Sequence, residues 1–215
     1  MSEALLRVSE IFTSIQGESS RVGLPTTFVR LTGCPLRCHW CDTAYAFQGG
    51  LRQTVSEVVA EVRARGVRTV CVTGGEPLAQ PAVHQLLRAL ADAGYDVSLE
   101  TSGALPIADV DPRVAVVMDL KAPGSGEHEK NLWQNLVALK PTDEIKIVIA
   151  DRADYEWAKM VIAEKRFTER CAVLLSPVAN ALPPHQLAEW IVADKLPVRF
   201  QLQLHKVLWG EERGR

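Results

Sequence analysis

The chain has little of what would send it to a membrane or to nucleic acid. No segment approaches the roughly 20 consecutive apolar residues of a spanning helix. Residues 1–7 lack the basic start and apolar run of a signal peptide, so a cytoplasmic location is expected. Net charge is nearly absent: 24 basic against 26 acidic side chains leave −2, with no run of five like charges. Neither nucleic acid nor a membrane surface is therefore expected as a partner. Low-complexity tracts and long linkers are missing too, and 215 residues that are 47% hydrophobic are expected to form one domain spanning residues 1–215.

Cysteine is scarce and unevenly placed. There are five, an odd number, and three fall within eight residues, which suits metal in a reducing compartment better than a disulfide framework. Cys71 and Cys171 lie in apolar stretches, where a thiol acts as a small hydrophobe, and neither is assigned to metal.

What is present is an alternation of strand and helix patterns. Residues 26–31 mix β-branched and aromatic side chains as a strand does, and lead through Gly33 into the cysteines. Thr54 and Glu57 form a capping-box signature, Val55, Val58, Val59 and Val62 recur at helical spacing, and Gly66 closes the helix. Further strands are expected at residues 68–73, 97–100, 114–120, 144–149, 171–176 and 198–204. Helices are expected at 81–93, 131–139, 151–165 and 184–194. Between the strands at 97–100 and 114–120, a short link with Pro106 and Pro112 leaves no room for a crossover helix. The rhythm predicts an α/β fold: a mostly parallel sheet with helices outside, as an abbreviated partial barrel. Residues 122–130, rich in glycine and charge, are expected to be mobile, and residues 210–215 to fray.

Cys34, Cys38 and Cys41 have Cys-x3-Cys-x2-Cys spacing on a loop after a strand. A cubane cluster held by three thiolates keeps one iron open to a ligand, whereas electron carriers generally supply four cysteines. Zinc is the alternative, since soft thiolates serve both. It would need a fourth donor such as His39, Asp42 or His84.

With Trp40 just before Cys41, and Thr73-Gly74-Gly75-Glu76-Pro77 after the second strand, the chain resembles the radical S-adenosylmethionine (SAM) superfamily. The resemblance implies a partial (β/α)6 barrel, with Cys34, Cys38 and Cys41 holding a 4Fe–4S cluster whose open iron takes SAM. Within the superfamily the chain is most similar to the 7-carboxy-7-deazaguanine synthase family. That likeness is carried by Glu10-Ile11-Phe12-Thr13-Ser14-Ile15-Gln16-Gly17-Glu18, Cys41-Asp42-Thr43, Glu100-Thr101-Ser102-Gly103 and His205-Lys206. The family contracts 6-carboxy-5,6,7,8-tetrahydropterin to 7-carboxy-7-deazaguanine with loss of ammonia, on the route to queuosine and related deazapurines.

By this resemblance Ile15, Gln16, Gly17, Arg30 and Thr73 meet the pterin substrate, Arg30 through its carboxylate, a task suited to a forked guanidinium. SAM contacts fall on Trp40, Cys41, Asp42, Gly75, Asp119, Leu120, Lys121, Ser176, Pro177 and Val178. Thr43 is linked to Mg2+, a hard cation that takes oxygen ligands. An electron donor such as flavodoxin or ferredoxin and a homodimer are implied as partners. The chain departs from the family by running on through residues 207–215 past the His-Lys pair. A glycyl-radical activating enzyme would share the cysteine spacing but not the Ser14-to-Glu18 signature. A non-catalytic zinc or iron–sulfur protein would use the thiolates for structure or sensing.

Overall fold

A sheet of nine strands forms the frame, in the order β3-β1-β2-β4-β5-β6-β7-β8-β9 among the residues described, 3–214, of this computed structural model. Six strands of full length run parallel: β2 (Pro25–Leu31), β4 (Thr69–Gly74), β5 (Asp96–Thr101), β6 (Ala115–Leu120), β7 (Glu144–Ile149) and β8 (Ala172–Pro177). Two-residue β9 (Arg199–Phe200) continues them in parallel at one edge, while β1 (Leu5–Ile15) and β3 (Leu51–Thr54) add an antiparallel ribbon at the other. The sheet is thus an open, curved partial barrel rather than a closed one.

Helices α1 (Val55–Arg65), α2 (Val83–Asp92), α3 (Arg152–Lys165) and α4 (Pro184–Ala193) cover its outer face. The capping box at α1 is formed as read: Glu57 N–H donates to the Thr54 hydroxyl, and Gly66 ends the helix at φ 70°. Asp151 caps α3 through the Asp154 N–H. Side-chain alternation sends Val29, Leu31, Val70, Val72, Leu99, Met118, Ile145, Ile147 and Leu175 into the core under the helices. Neighbouring residues on the same strands face the barrel interior. No helix among the described residues is long and apolar enough to cross a membrane.

Several expectations are corrected. Residues 131–139 carry a 3-10 segment, Trp133–Val137, instead of an α-helix. The strand expected at 198–204 is confined to Arg199–Phe200, and Leu204–Trp209 forms a helix, α5. Residues 122–130 are tied down rather than mobile. Gly124 N–H donates to Asp154 at 2.7 Å, the Ser125 hydroxyl donates to the Ala122 carbonyl at 2.6 Å, and His39 N–H donates to the Ser125 carbonyl at 3.1 Å. Near the end of the chain Arg213 lies 4.1 Å from the Tyr45 ring centre, a cation–π contact that holds a segment expected to fray. Arg215 lies outside the described residues.

Candidate active site

A cavity of about 540 Å³ opens at the carboxyl ends of the parallel strands, the usual ligand end of such sheets. Five neighbouring parallel strands each deliver an inward side chain to it: Arg30 from β2, Thr73 from β4, Glu100 from β5, Asp119 from β6 and Lys146 from β7. Arg30 stands directly beside Thr73, and Asp119 beside Lys146, in the sheet register.

One wall is the cysteine loop. Cys34, Cys38 and Cys41 are free, half-buried and all line the cavity. Leu36, 2% exposed, pins the loop to the body, and Arg37 stacks 4.3 Å from the Phe47 ring centre. His39 reaches the Gly124 carbonyl through Nδ1 at 2.9 Å. Burial pushes the Cys34 and Cys38 thiols up, while the Lys121 ammonium pulls in the opposite direction. Three soft thiolates on one short loop suit a cubane cluster, which takes each thiolate on a separate iron.

Behind the loop runs the Gly74–Pro77 turn. A Cβ on Gly75 would lie 2.3 Å from the Gly33 oxygen and 2.8 Å from Cys34 Cβ, so only glycine lets the turn pass beneath the first cysteine. Glu76 donates its N–H to that same Gly33 oxygen at 2.7 Å. Its side chain is fully buried and accepts from Leu78 N–H, Ser102 N–H and the hydroxyls of Thr101 and Ser102. The carboxylate of the Gly-Gly-Glu-Pro motif is thus a strut locking the ends of β4 and β5, facing away from ligands.

The floor is polar. Glu100 accepts from the Thr73 hydroxyl at 2.9 Å and the Gln16 amide at 3.3 Å. Lys146 pairs with Glu18 and lies 3.4 Å from Asp119, which also pairs with Lys121 at 3.2 Å. Burial alone would lower the Lys146 pKa. Glu18, Asp119 and Glu100 outweigh it and hold the ammonium charged beyond the ordinary lysine range. Asp119 Oδ1 and Ser176 Oγ are buried without a protein partner, and buried polar atoms of that kind call for a ligand or water. Arg30 Nε donates to Glu10 at 2.7 Å, and Glu10 also accepts from the Tyr45 hydroxyl at 2.7 Å. Burial and that carboxylate push the Tyr45 hydroxyl up to about 12, against the opposing pull of Arg30.

The loop after β1 and the segment after β9 close the remaining side. Gln203 donates to Glu18 at 2.8 Å, and Leu204 N–H donates to the Gly17 carbonyl at 3.0 Å. A Cβ on Gly17 would fall 2.1 Å from His205 Nδ1, so this glycine makes room for the histidine. Lys206 pairs with Asp42 at 2.8 Å, and the Thr43 hydroxyl donates to the same carboxylate at 2.8 Å. Burial would raise the Asp42 pKa, but Lys206 and Thr43 drive it well below the usual carboxylate range.

Of the residues singled out from sequence, Ile15, Gln16, Arg30, Thr73, Trp40, Cys41, Asp42, Thr43, Gly75, Asp119, Lys121 and Val178 line the cavity with Cys34 and Cys38. Gly17, Leu120, Ser176 and Pro177 do not. Leu120 packs in the hydrophobic core, because alternation along β6 turns it away from Asp119. Sequence reasoning missed Glu18, Lys146, Gln203 and Tyr45 as cavity residues. A lysine inside the apolar run of β7 was the available signal for Lys146.

The radical SAM superfamily profile matches residues 28–118, from β2 through most of β6. Together with the partial barrel and the three-thiol wall, this defines the protein as a radical SAM enzyme. The chain is 49% identical over 214 residues to the 7-carboxy-7-deazaguanine synthase of Chlorobaculum tepidum, covering 98% of this chain and 97% of the relative. It is 41% identical over 222 residues to that of Koribacter versatilis, covering 96% and 98%. The chain belongs to the 7-carboxy-7-deazaguanine synthase family. Its fold is also that of the solved QueE from Escherichia coli, with a TM-score of 0.75 at 24% identity over 94% of this chain and 95% of that one. Membership brings a 4Fe–4S cluster, SAM and Mg2+ as cofactors, a small-molecule substrate and a reductant.

Proposed function

We propose that this chain converts 6-carboxy-5,6,7,8-tetrahydropterin to 7-carboxy-7-deazaguanine with loss of ammonia, using residues 1–215 as one radical SAM domain. The observation that carries the reading is the meeting, in one cavity, of the three thiols, the glycine turn and the floor of Gln16, Arg30, Thr73 and Glu100.

Cys34, Cys38 and Cys41 would hold the cluster. Gly75, Trp40, Asp42, Asp119, Lys121 and Val178 would surround SAM, and the unpartnered Asp119 oxygen offers an acceptor to it. When bound, the cluster and SAM would supply radical hydrogen-abstraction chemistry, and magnesium would supply positive charge beside the substrate. The protein's own part is to bind and orient. Arg30, steadied through Nε by Glu10, keeps its terminal guanidinium nitrogens for the substrate carboxylate. Glu100, aligned by Thr73, accepts from ring N–H donors, and Gln16 fixes the same edge. Lys146, paired with Glu18 and 3.4 Å from Asp119, would supply positive charge on the cavity floor. Thr43, two residues after Cys41, offers the hydroxyl oxygen that would meet magnesium.

We place the enzyme in the cytoplasm, where thiolate ligands stay reduced, with flavodoxin or ferredoxin as donor and with neither nucleic acid nor membrane as partner. A homodimer is part of the same reading. Phe200 and Leu202 at and just after β9, and Val207 and Leu208 on α5, leave apolar side chains exposed.

The test is anaerobic reconstitution with reductant, SAM, Mg2+ and the carboxytetrahydropterin, with the deazaguanine read by mass spectrometry. Product that vanishes in Cys38→Ala supports the reading. Deuterium at the carboxylate-bearing carbon is expected in 5'-deoxyadenosine, and its complete absence there rejects the first step. Release of 5'-deoxyadenosine without the deazaguanine would reject the substrate and keep the radical chemistry.

A further inference from the structure

The loop of residues 16–24 contains one non-glycine residue of positive φ, Ser19, at φ 66°, and it is 1% exposed. A non-glycine residue is strained there, and such strain survives only where the surroundings over-determine it. Here one carboxamide does so. Gln201 Nε2 donates to the Ser19 carbonyl at 2.9 Å, and Gln201 Oε1 accepts from the Ser19 N–H at 2.9 Å. Gln201 is itself 7% exposed and fixed by its own N–H to the Leu175 carbonyl of β8, at 2.9 Å. Ser20, the next residue, is clamped by buried Glu144 of β7, which accepts its N–H at 3.0 Å and its hydroxyl. Neither Gln201 nor Glu144 touches the cavity, yet the loop they grip brings Gln16 and Glu18 onto its floor.

We propose that Gln201 is a positioning residue for substrate: by gripping both polar groups of the Ser19 backbone it holds the strained turn that aims Gln16 and Glu18 into the cavity. The inference rests on the reading that this loop meets the pterin. Gln201 acts at a distance, so its loss weakens substrate binding while leaving the SAM side of the cavity untouched.

The holoenzyme variant Gln201→Leu removes both hydrogen bonds at similar volume. It is expected to raise KM for the carboxytetrahydropterin about tenfold, with kcat and the SAM dissociation constant within about twofold of wild type. Adding Ser19→Gly should bring KM back to within about threefold, because glycine adopts positive φ unaided. A merely structural role for Gln201 would not be rescued in this way. Backbone amide exchange at residues 16–20, faster in Gln201→Leu and slowed again in the double variant, reads the same positioning without substrate. Gln201→Glu keeps the acceptor but sets a buried carboxylate oxygen against the Ser19 carbonyl, and is expected to raise KM at least as much as Gln201→Leu. Unchanged exchange in both single variants, or a KM that the glycine fails to rescue, overturns the proposal. Wild-type enzyme that leaves the pterin unconverted would reject the substrate reading alone, and the exchange rates would still decide the positioning role.

Discussion

The glycine turn after β4 and the cysteine loop after β2 touch, but they are held in opposite ways. The turn is built around a buried carboxylate, Glu76, whose donors come from the end of β5, the residue after it and a short helical turn. The cysteine loop is half-exposed and hangs from its flanks: Leu36 in the body, His39 on Gly124 and Asp42 on Lys206. Its thiols themselves make little protein contact, with only the Leu36 N–H near Cys34 Sγ at 3.4 Å. Rigidity lies in the surface against which ligands are placed, and ligand-forming atoms lie on a segment left free to wrap around them.

Four substitutions would break or sharpen that contrast. The largest effect is on activity: Cys38→Ala should cut product formation to the level of a no-enzyme control. The melting temperature of the metal-free protein should move by less than about 3 °C, since the thiol supports no packing. Glu76→Ala should do the reverse, costing about 3–5 kcal/mol in denaturant unfolding by stranding buried donors. A stability loss below about 1 kcal/mol would show that the strut is dispensable.

Lys146→Met comes third. Its side chain and that of Glu18 are each 13% exposed, so leaving Glu18 without its cation should cost about 2 kcal/mol, less than a fully buried pair loses. The Glu18 pKa lies below its ordinary 4.5: burial raises it, and Lys146 and Gln203 more than offset that. The stabilisation it provides is therefore present above pH 4.5 and fades as pH falls through the folded value. The variant should lack this acid-sensitive part, visible as a flatter stability profile below pH 4.5. Smallest is His39→Ala, expected to cost about 1 kcal/mol by freeing the loop from the Gly124 carbonyl. Faster amide exchange confined to the cysteine loop and residues 124–126 would confirm the local nature of that tie.

Local signals made much of the frame legible. Thr54, Glu57 and Gly66 marked α1 at both ends, and the apolar runs of β6 and β7 were read within a residue of their bounds. The β1 strand escaped because both its faces are partly wet, so Leu5–Ile15 shows no clean alternation. The strand expected at 198–204 ran past Phe200 because Leu202 and Leu204 resemble a strand in composition, while the hydrogen bond from Leu204 N–H to the Gly17 carbonyl turns the chain there into α5. Cysteine spacing announced the thiol wall, since all three cysteines lie on one short loop. Pairs such as Lys146 with Glu18 and Gln201 with Ser19 join residues 128 and 182 positions apart. Nothing in either local stretch announces the other.

The grip of Gln201 on Ser19 also bears on the order in which the molecule can be made. At roughly 5–20 residues per second, a ribosome needs roughly 10–40 s to travel from one residue to the other. During that interval the first loop of the protein emerges without the residue that shapes it. A truncated or stalled chain can form most of the sheet and all three thiols, and still lack a finished floor for its substrate. The floor is finished only after Gln201 has been made and has closed on Ser19.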